Sequence, residues 1–253
     1  MAPYIANAAA WQESWDRQQE AYLPDREHRF TAMLDAVDAV HDGGRPLRLL
    51  DLAGGTGSIS ERTLRRFPDA RVTLVDLDPA LLALARATLG DRVSIVTADL
   101  GTPAWRDALP HHEYDAVLTA TALHWLPAER VTALYAEVRD LLRPGGLLAN
   151  ADHMPDDTLP DLTKRLLDRA RAHRDARYAA GAVPSWSQWW DLAAADPALA
   201  PLVAERRRIY PTGHSPEWNP PVSWHLAALT GAGFGEVGTV WRGGADAAVA
   251  GVR

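Results

Sequence analysis

The stretch LLDLAGGTGSIS, residues 49–60, decides how this sequence folds. Apolar residues surround Asp51, and residues 53–57 (AGGTG) then carry very little side chain. The residues before the glycines predict a strand over 48–53, and those after them predict a helix that ends near Phe67. Glycine allows a tight turn and lets a ligand approach the backbone. The stretch therefore predicts a ligand-binding loop at the carboxyl edge of a sheet.

Short apolar segments alternate with amphipathic ones after this loop. Further strands are predicted at 71–77, 93–99, 114–121 and 147–152, and helices at 79–89 and 127–142. The run RPGG, residues 143–146, is predicted to separate the second helix from the strand after it. Two segments at 236–242 and 247–253 predict a closing β-hairpin. This order is typical of an α/β fold, with a mostly parallel sheet covered by helices on both faces.

Composition limits the function classes. The chain has 253 residues and a net charge of −7, which argues against nucleic-acid binding because phosphate contact needs concentrated positive charge. It has no cysteine, which excludes disulfides, thiolate nucleophiles and Cys-ligated zinc. No convincing metal site is found. The N-terminus does not resemble a secretory signal and no window resembles a membrane span, so we expect a cytoplasmic protein without a membrane partner.

The ligand of the loop is narrowed by acidic residues. Asp76 ends the second predicted strand, where a carboxylate can accept hydrogen bonds from ribose hydroxyls. A dinucleotide fold would also place an acid there, but its fingerprint needs a third glycine where Ser60 stands. Asp51 would repel a pyrophosphate and suits a cationic amine. Ser58 and Glu61 have the spacing of a capping box, which predicts Ser58 as the N-cap of the next helix.

Five motifs in order carry a family resemblance. They are LLDLAGGTG, VDLDP (75–79), TADL (97–100), YDAVLTATALHWL (114–126) and LLRPGGLL (141–148). Together they resemble the motifs of the class I S-adenosylmethionine-dependent methyltransferases, and the chain is similar to the trans-aconitate-type members. The resemblance covers about residues 45–153 and 222–253, and one departure is Ala53, where that family commonly has glycine.

The resemblance implies a Rossmann-like sheet of seven strands, mostly parallel with one antiparallel strand. With the helical patterns outside these motifs, we expect an N-terminal helical cap at 1–44, a cofactor-binding core at 45–153 and 221–253, and a helical insertion at 154–220 that covers the substrate pocket.

The resemblance also implies S-adenosylmethionine as cofactor and a set of residues that bind it. Asp51 is expected near the methionine amine, Asp76 at the ribose hydroxyls and Asp99 at the adenine amino group. The full set of implied cofactor-binding residues is Asp51, Ala53, Gly55, Gly57, Asp76, Leu77, Asp99, Leu100 and Thr119.

Methyl transfer from a sulfonium needs alignment and water exclusion more than a fixed triad. A base is needed only when the acceptor still carries its proton. His124 and His153 follow the fourth and fifth strands and are the candidate catalytic residues, with local packing as the alternative role of His124.

The acceptor pocket is expected beneath the two helical segments. Its candidate substrate-binding residues are Trp11, Trp15, Tyr22, Trp125 and Trp186. Burial against the sheet is the alternative role for most of these aromatic residues. The run Arg206 to Arg208 is predicted to be a solvated stretch, whereas Arg174 or His214 could reach an acidic substrate.

The leading hypothesis is methyl transfer to O, N or C of a small molecule, with an aromatic or heterocyclic metabolite of secondary metabolism favoured by the tryptophan-rich cap. A small carboxylic acid is the next choice. A NAD(P)-dependent oxidoreductase and a non-catalytic cofactor-binding module remain as alternatives. The oligomeric state, monomer or homodimer, stays open.

Overall fold

A seven-stranded sheet forms the centre of the computed structural model, which describes residues 4–211 and 217–253. The strand order is β3-β2-β1-β4-β5-β7-β6. The strands are β1 Arg48–Leu52, β2 Arg71–Asp76, β3 Val93–Thr97, β4 Tyr114–Ala120, β5 Leu142–His153, β6 Glu236–Gly243 and β7 Asp246–Val252. Strand β7 is antiparallel to both neighbours, while β1 to β5 pair in parallel. The predicted α/β class, with one reversed strand, is confirmed.

Helices connect these strands and extend beyond the sheet. They are α1 Ala8–Tyr22, α2 Arg26–Val40, α3 Ser58–Arg66, α4 Pro79–Leu89, α5 Ala128–Leu141, α6 Pro160–Ala179, α7 Trp186–Ala195, α8 Ala200–Ile209 and α9 Val222–Gly231. Within residues 4–211 and 217–253, no helix is both long and apolar enough to cross a membrane. The predicted division into cap, core and insertion stays a prediction.

Alternation along the strands builds a core on each face of the sheet. Leu49 packs with α2, α3 and α4, while its neighbour Leu50 packs with α5 and α9 on the opposite face. Both leucines are fully buried. Successive side chains of a strand point to opposite faces, and the near-continuous apolar strands therefore supply both layers.

A third apolar cluster joins α1 to α4, α7 and α8. Trp15 on α1 packs against Trp189 and Trp190 on α7, with ring centroids 4.9 Å and 6.3 Å away. Leu81 and Leu84 of α4, a helix that covers one face of the sheet, belong to the same cluster. Helices α1, α7 and α8 are thus packed together against α4.

Two local predictions are wrong. RPGG does not separate a helix from a strand, because β5 begins at Leu142 and includes it as an irregularity where the β4–β5 register shifts. Ser58 is not the N-cap of α3, because that position is Gly57 with φ +85° and no side-chain cap. Ser58 instead donates from Oγ to Asp16 Oδ1 of α1, at 2.7 Å.

Gly57→Ala should destabilise the fold by about 3 kcal/mol, because a left-handed backbone strains alanine and its Cβ would overlap Leu89 Cδ1. Gly181→Ala is the matched control: its φ is +65°, but no atom lies within 4 Å of the added Cβ. We expect the control to lose only about 1 kcal/mol. Urea denaturation of both variants measures the difference, and equal losses would mean that the Leu89 contact is unimportant.

Candidate functional site

A cavity of about 590 Å³ opens at the carboxyl ends of β1, β2 and β4. Parallel strands all end at this edge, so the loops that follow them meet there. Helices α1, α7 and α8 contribute the outer walls. The cavity therefore lies between the core and the helical segments, where the sequence predicts the acceptor pocket.

The glycine loop lines the floor of this cavity through Ala53, Gly54 and Gly55. A Cβ on Gly54 would lie 2.7 Å from both Asp51 Cγ and Leu74 Cγ, so Gly54 is required by internal packing. Gly57 is also required by internal packing and does not line the cavity.

Ala53 occupies a strained conformation that its residue type does not reveal. Its φ is +55°, in the left-handed region where glycine is favoured. The family's usual glycine at this position therefore has a backbone reason.

Asp51 lies beneath the loop and outside the cavity wall. Its Oδ2 accepts from Ser60 N–H at 2.9 Å and from Ser60 Oγ at 2.6 Å, so it binds the first turn of α3. The other oxygen, Oδ1, is buried without a hydrogen-bond partner. Burial raises the pKa of Asp51 to about 6 against the opposing effect of the Ser60 hydrogen bonds. The expected role of Asp51 toward a methionine amine stays a prediction.

Asp76 and Asp78 stand together after β2. Asp76 lines the cavity and accepts from Gly55 N–H and Asp78 N–H, each at 2.8 Å. Asp78 caps α4 by accepting from two of its first N–H groups. Burial raises the pKa of both carboxyls, that of Asp78 to about 6, although a nearby arginine, Arg206, lowers both.

The remaining predicted cofactor residues divide into two groups. Leu77, Asp99 and Leu100 line the cavity, and Asp99 Oδ1 accepts from Gly101 N–H at 2.7 Å. Thr119 is fully buried in β4 and its Oγ1 has no hydrogen-bond partner, but it does not line the cavity.

His124 lines the cavity and is held by a carboxylate. Its Nδ1 lies 2.7 Å from Oδ1 of Asp152, and both residues are buried. Burial lowers the pKa of the imidazole, but the Asp152 carboxylate outweighs it, so the pKa of His124 is raised. A histidine oriented through Nδ1 leaves Nε2 for contact with a ligand.

His153 is directed elsewhere. It does not line the cavity, and its Nδ1 lies 2.6 Å from Asp246 Oδ1 on β7. Asp246 also pairs with the fully buried Arg29 of α2. The catalytic role expected of His153 stays a prediction, and in this structure its ring is paired with Asp246 outside the cavity wall.

Aromatic side chains form the outer walls. Trp15, Tyr22, Trp125 and Trp186 line the cavity as predicted substrate residues, whereas Trp11 does not and packs edge-on against Trp189 at 5.5 Å. The hydroxyl of Tyr22 donates to Glu217, which is also in the wall.

Several lining residues were missed from the sequence. They are Gln19, Arg26, Ser58, Arg206, Tyr210 and Glu217. Arg206 was predicted to be solvated with its neighbours, but only one face of α8 meets the cavity, and Arg206 lies on it while Arg207 and Arg208 are exposed. Adjacent residues of a helix point in different directions, so the helical period of this run could have indicated that not all three arginines are solvated. Arg174 does not line the cavity, and His214 lies outside the described residues.

Both lining arginines face carboxylates. Arg26 donates from NH1 to Asp16 Oδ1 at 2.8 Å, and Arg206 donates from Nε to Asp78 Oδ2 at 2.6 Å. In the described part of the chain, no group of three or more acidic or histidine side chains is placed to hold a metal ion.

Comparisons with known proteins agree with this geometry. A family model described as "Methyltransferase domain" matches residues 49–146. Trans-aconitate 2-methyltransferase of Streptomyces avermitilis is 33% identical over 139 residues, which cover 54% of this chain and 49% of that protein. The ubiquinone/menaquinone biosynthesis C-methyltransferase of Methylobacterium nodulans is 38% identical over 103 residues, 40% of each chain.

The matched segment, residues 49–146, is a methyltransferase domain similar to those of the class I S-adenosylmethionine-dependent methyltransferases. The resemblance carried by the five motifs is thereby confirmed, and S-adenosylmethionine is the cofactor of this family. The matched segment spans half or less of each of these two methyltransferases.

The fold extends this likeness beyond the matched segment. Human N-acetylserotonin methyltransferase, solved in complex with S-adenosylmethionine, superimposes with a TM-score of 0.57 at 15% identity. The superposition covers 97% of this chain and 58% of the human chain.

Asp152→Asn should lower the pKa of His124, because it removes the carboxylate that stabilises the imidazolium. NMR titration of the imidazole resonances measures it, with Asp156→Asn as control. In the parent, the pKa of His124 is higher in the folded chain than in the unfolded chain. The His124–Asp152 pair therefore contributes its full stabilisation below the unfolded pKa of about 6.5. It is lost as the pH rises through the folded pKa. An unchanged His124 pKa in Asp152→Asn would contradict the pairing.

Proposed function

We propose that this chain binds S-adenosylmethionine in the 590 Å³ cavity and transfers its methyl group to a small molecule. One observation carries the proposal. A single cavity is lined by the glycine loop, by Asp76 at the end of β2 and by His124 after β4. The resemblance requires these three features in one place: the glycine loop, the carboxylate for the ribose, and the end of β4 where the methyl group would be transferred.

The residues present fit the cofactor. The backbone at Gly54 and Gly55 is bare toward the cavity, which allows close approach. Asp76 can accept from ribose hydroxyls, and Asp99 with Leu100 can contact the adenine. When bound, S-adenosylmethionine supplies an electrophilic methyl group on its sulfonium. The protein's contribution is then orientation and the exclusion of water.

His124 is the proposed base where the acceptor keeps its proton. Asp152 holds Nδ1, so Nε2 is the nitrogen that can accept a proton from the acceptor. A neighbouring carboxylate stabilises the imidazolium that this transfer forms. Asp152 therefore orients the ring and supports its charge.

The walls favour an uncharged aromatic or heterocyclic acceptor. Trp15, Trp125 and Trp186 offer flat apolar surface. A carboxylate acceptor would need a cation, yet Arg26 and Arg206 already face Asp16 and Asp78. A small carboxylic acid remains the second candidate, because a trans-aconitate methyltransferase is among the relatives. The acceptor atom can be O, N or C, and we place the reaction in the cytoplasm.

Asp76→Ala should weaken S-adenosylmethionine binding by about 1–3 kcal/mol, because the ribose loses a buried acceptor. Isothermal titration with S-adenosylmethionine, S-adenosylhomocysteine and NAD(P)H measures it. Asp91→Ala, an exposed acid just before β3, is the control and should bind like the parent. Equal affinity of both variants would refute the role of Asp76. Binding of NAD(P)H by the parent would favour the oxidoreductase alternative.

His124→Gln should lower turnover by about 10²–10⁴-fold if the acceptor loses its proton to this ring, with cofactor affinity retained. Turnover is measured by mass spectrometry as the gain of one methyl group, on a panel of phenols, N-heterocycles and trans-aconitate. His112→Gln, in an exposed loop position, is the control. Unchanged turnover in His124→Gln would rule out proton removal by His124. Cofactor binding by the parent without turnover on any acceptor would favour a non-catalytic binding module.

A further inference from the structure

An ion pair connects helix α8 to the turn that follows β2. Arg206 donates from Nε to Asp78 Oδ2 at 2.6 Å, across 128 residues of sequence. The side chains of Arg206 and Asp78 are only 11% and 6% exposed. A pair so well buried is costly to break, unlike the exposed pairs on the surface.

The guanidinium of Arg206 is also held by aromatic rings. Its central carbon lies 4.0 Å from the ring centroid of Trp190 and 5.3 Å from that of Tyr210. Planar guanidinium groups stack well on such rings, so both contacts restrict the orientation of the Arg206 side chain. Arg206 and Tyr210 both line the cavity.

Asp78 links Arg206 to Asp76, the residue predicted to bind the ribose. Its Oδ1 caps α4, its Oδ2 receives Arg206, and its own N–H donates to Asp76 Oδ1 at 2.8 Å. Tyr210 lines the same cavity as Asp76 and Asp78, and burial together with these two carboxylates raises its pKa. The end of α8 therefore stands over the part of the cavity assigned to the adenosine.

The start of α8 has a separate anchor. Leu199 and Val203 are buried against the α4 and α7 side chains of the third apolar cluster. Arg206 lies in the last turn of the helix, beyond this contact. Loss of the ion pair should thus loosen the cavity wall while the helix stays packed.

We propose that Arg206 is a cofactor-positioning residue: its ion pair with Asp78 holds the end of α8, with Tyr210, as a wall over the adenosine end of the cofactor site. The proposal rests on the proposed function. It assigns part of the cofactor affinity to the segment after β5 rather than to the core motifs alone.

The test is the affinity of the full chain for S-adenosylhomocysteine by isothermal titration. Arg206→Gln should weaken binding by about tenfold, and Asp78→Asn, which keeps an oxygen for the α4 cap, should do the same. Arg207→Gln, exposed on the neighbouring position, is the matched control and should bind as the parent does. The double variant Arg206→Gln/Asp78→Asn should be no weaker than either single variant.

A purely structural role would lower the melting temperature of the ligand-free protein without a selective loss of cofactor affinity. We expect Arg206→Gln to lose cofactor affinity selectively, while the melting temperature of the ligand-free protein stays near that of the parent. Arg206→Lys should restore part of the affinity. Parent-like affinity in Arg206→Gln overturns the proposal and leaves the proposed function intact. If Arg206→Gln does not fold, parent-like affinity in Asp78→Asn overturns it. A parent chain that binds neither S-adenosylmethionine nor S-adenosylhomocysteine overturns both.

Discussion

One buried carboxylate joins the first strand to the helix that follows it. Asp51 accepts two hydrogen bonds from Ser60, in the first turn of α3, where the unpaired N–H groups of a helix favour negative charge. These hydrogen bonds fix the end of β1 close to the start of α3. The loop between them has no room for a Cβ at Gly54, so its backbone forms the bare floor of the cavity. The cost is a desolvated acid with one unpaired oxygen.

Several charged side chains around the cavity form pairs between different elements. Asp16 of α1 receives Arg26 and Ser58, so the N-terminal helix is fastened to the glycine loop. Asp78 receives Arg206, and Asp152 receives His124. The Arg206–Asp78 and His124–Asp152 pairs join segments distant in sequence and are largely buried, whereas the Arg26–Asp16 pair joins the two successive N-terminal helices. The helical walls are therefore positioned by directional polar contacts in addition to the tryptophan cluster, and the arginines are already engaged before any ligand arrives.

Much of the fold and part of the site could be predicted. Apolar segments of strand length between amphipathic helices foretold β1 to β4 and the closing hairpin, since periodicity is a local property. Six of the nine predicted cofactor residues and four of the five predicted aromatic residues line one cavity. The sequence could not separate glycines that admit a ligand from those that admit a neighbouring leucine. Gly57 belongs to the second kind, because Leu89 comes from a helix 32 positions later.

The sequence by itself determined the order of strands and helices along the chain, the loop of small residues and the acids near the ends of β1, β2 and β3, because each depends on neighbours along the chain. Only the tertiary structure decided which side chains face the cavity. Arg206 and Arg207 are identical and adjacent, yet one is buried against Asp78 and the other is exposed. Likewise His124 meets the cavity while His153 is held by Asp246 of the reversed strand. These choices depend on contacts between distant segments, and local pattern carries no information about them.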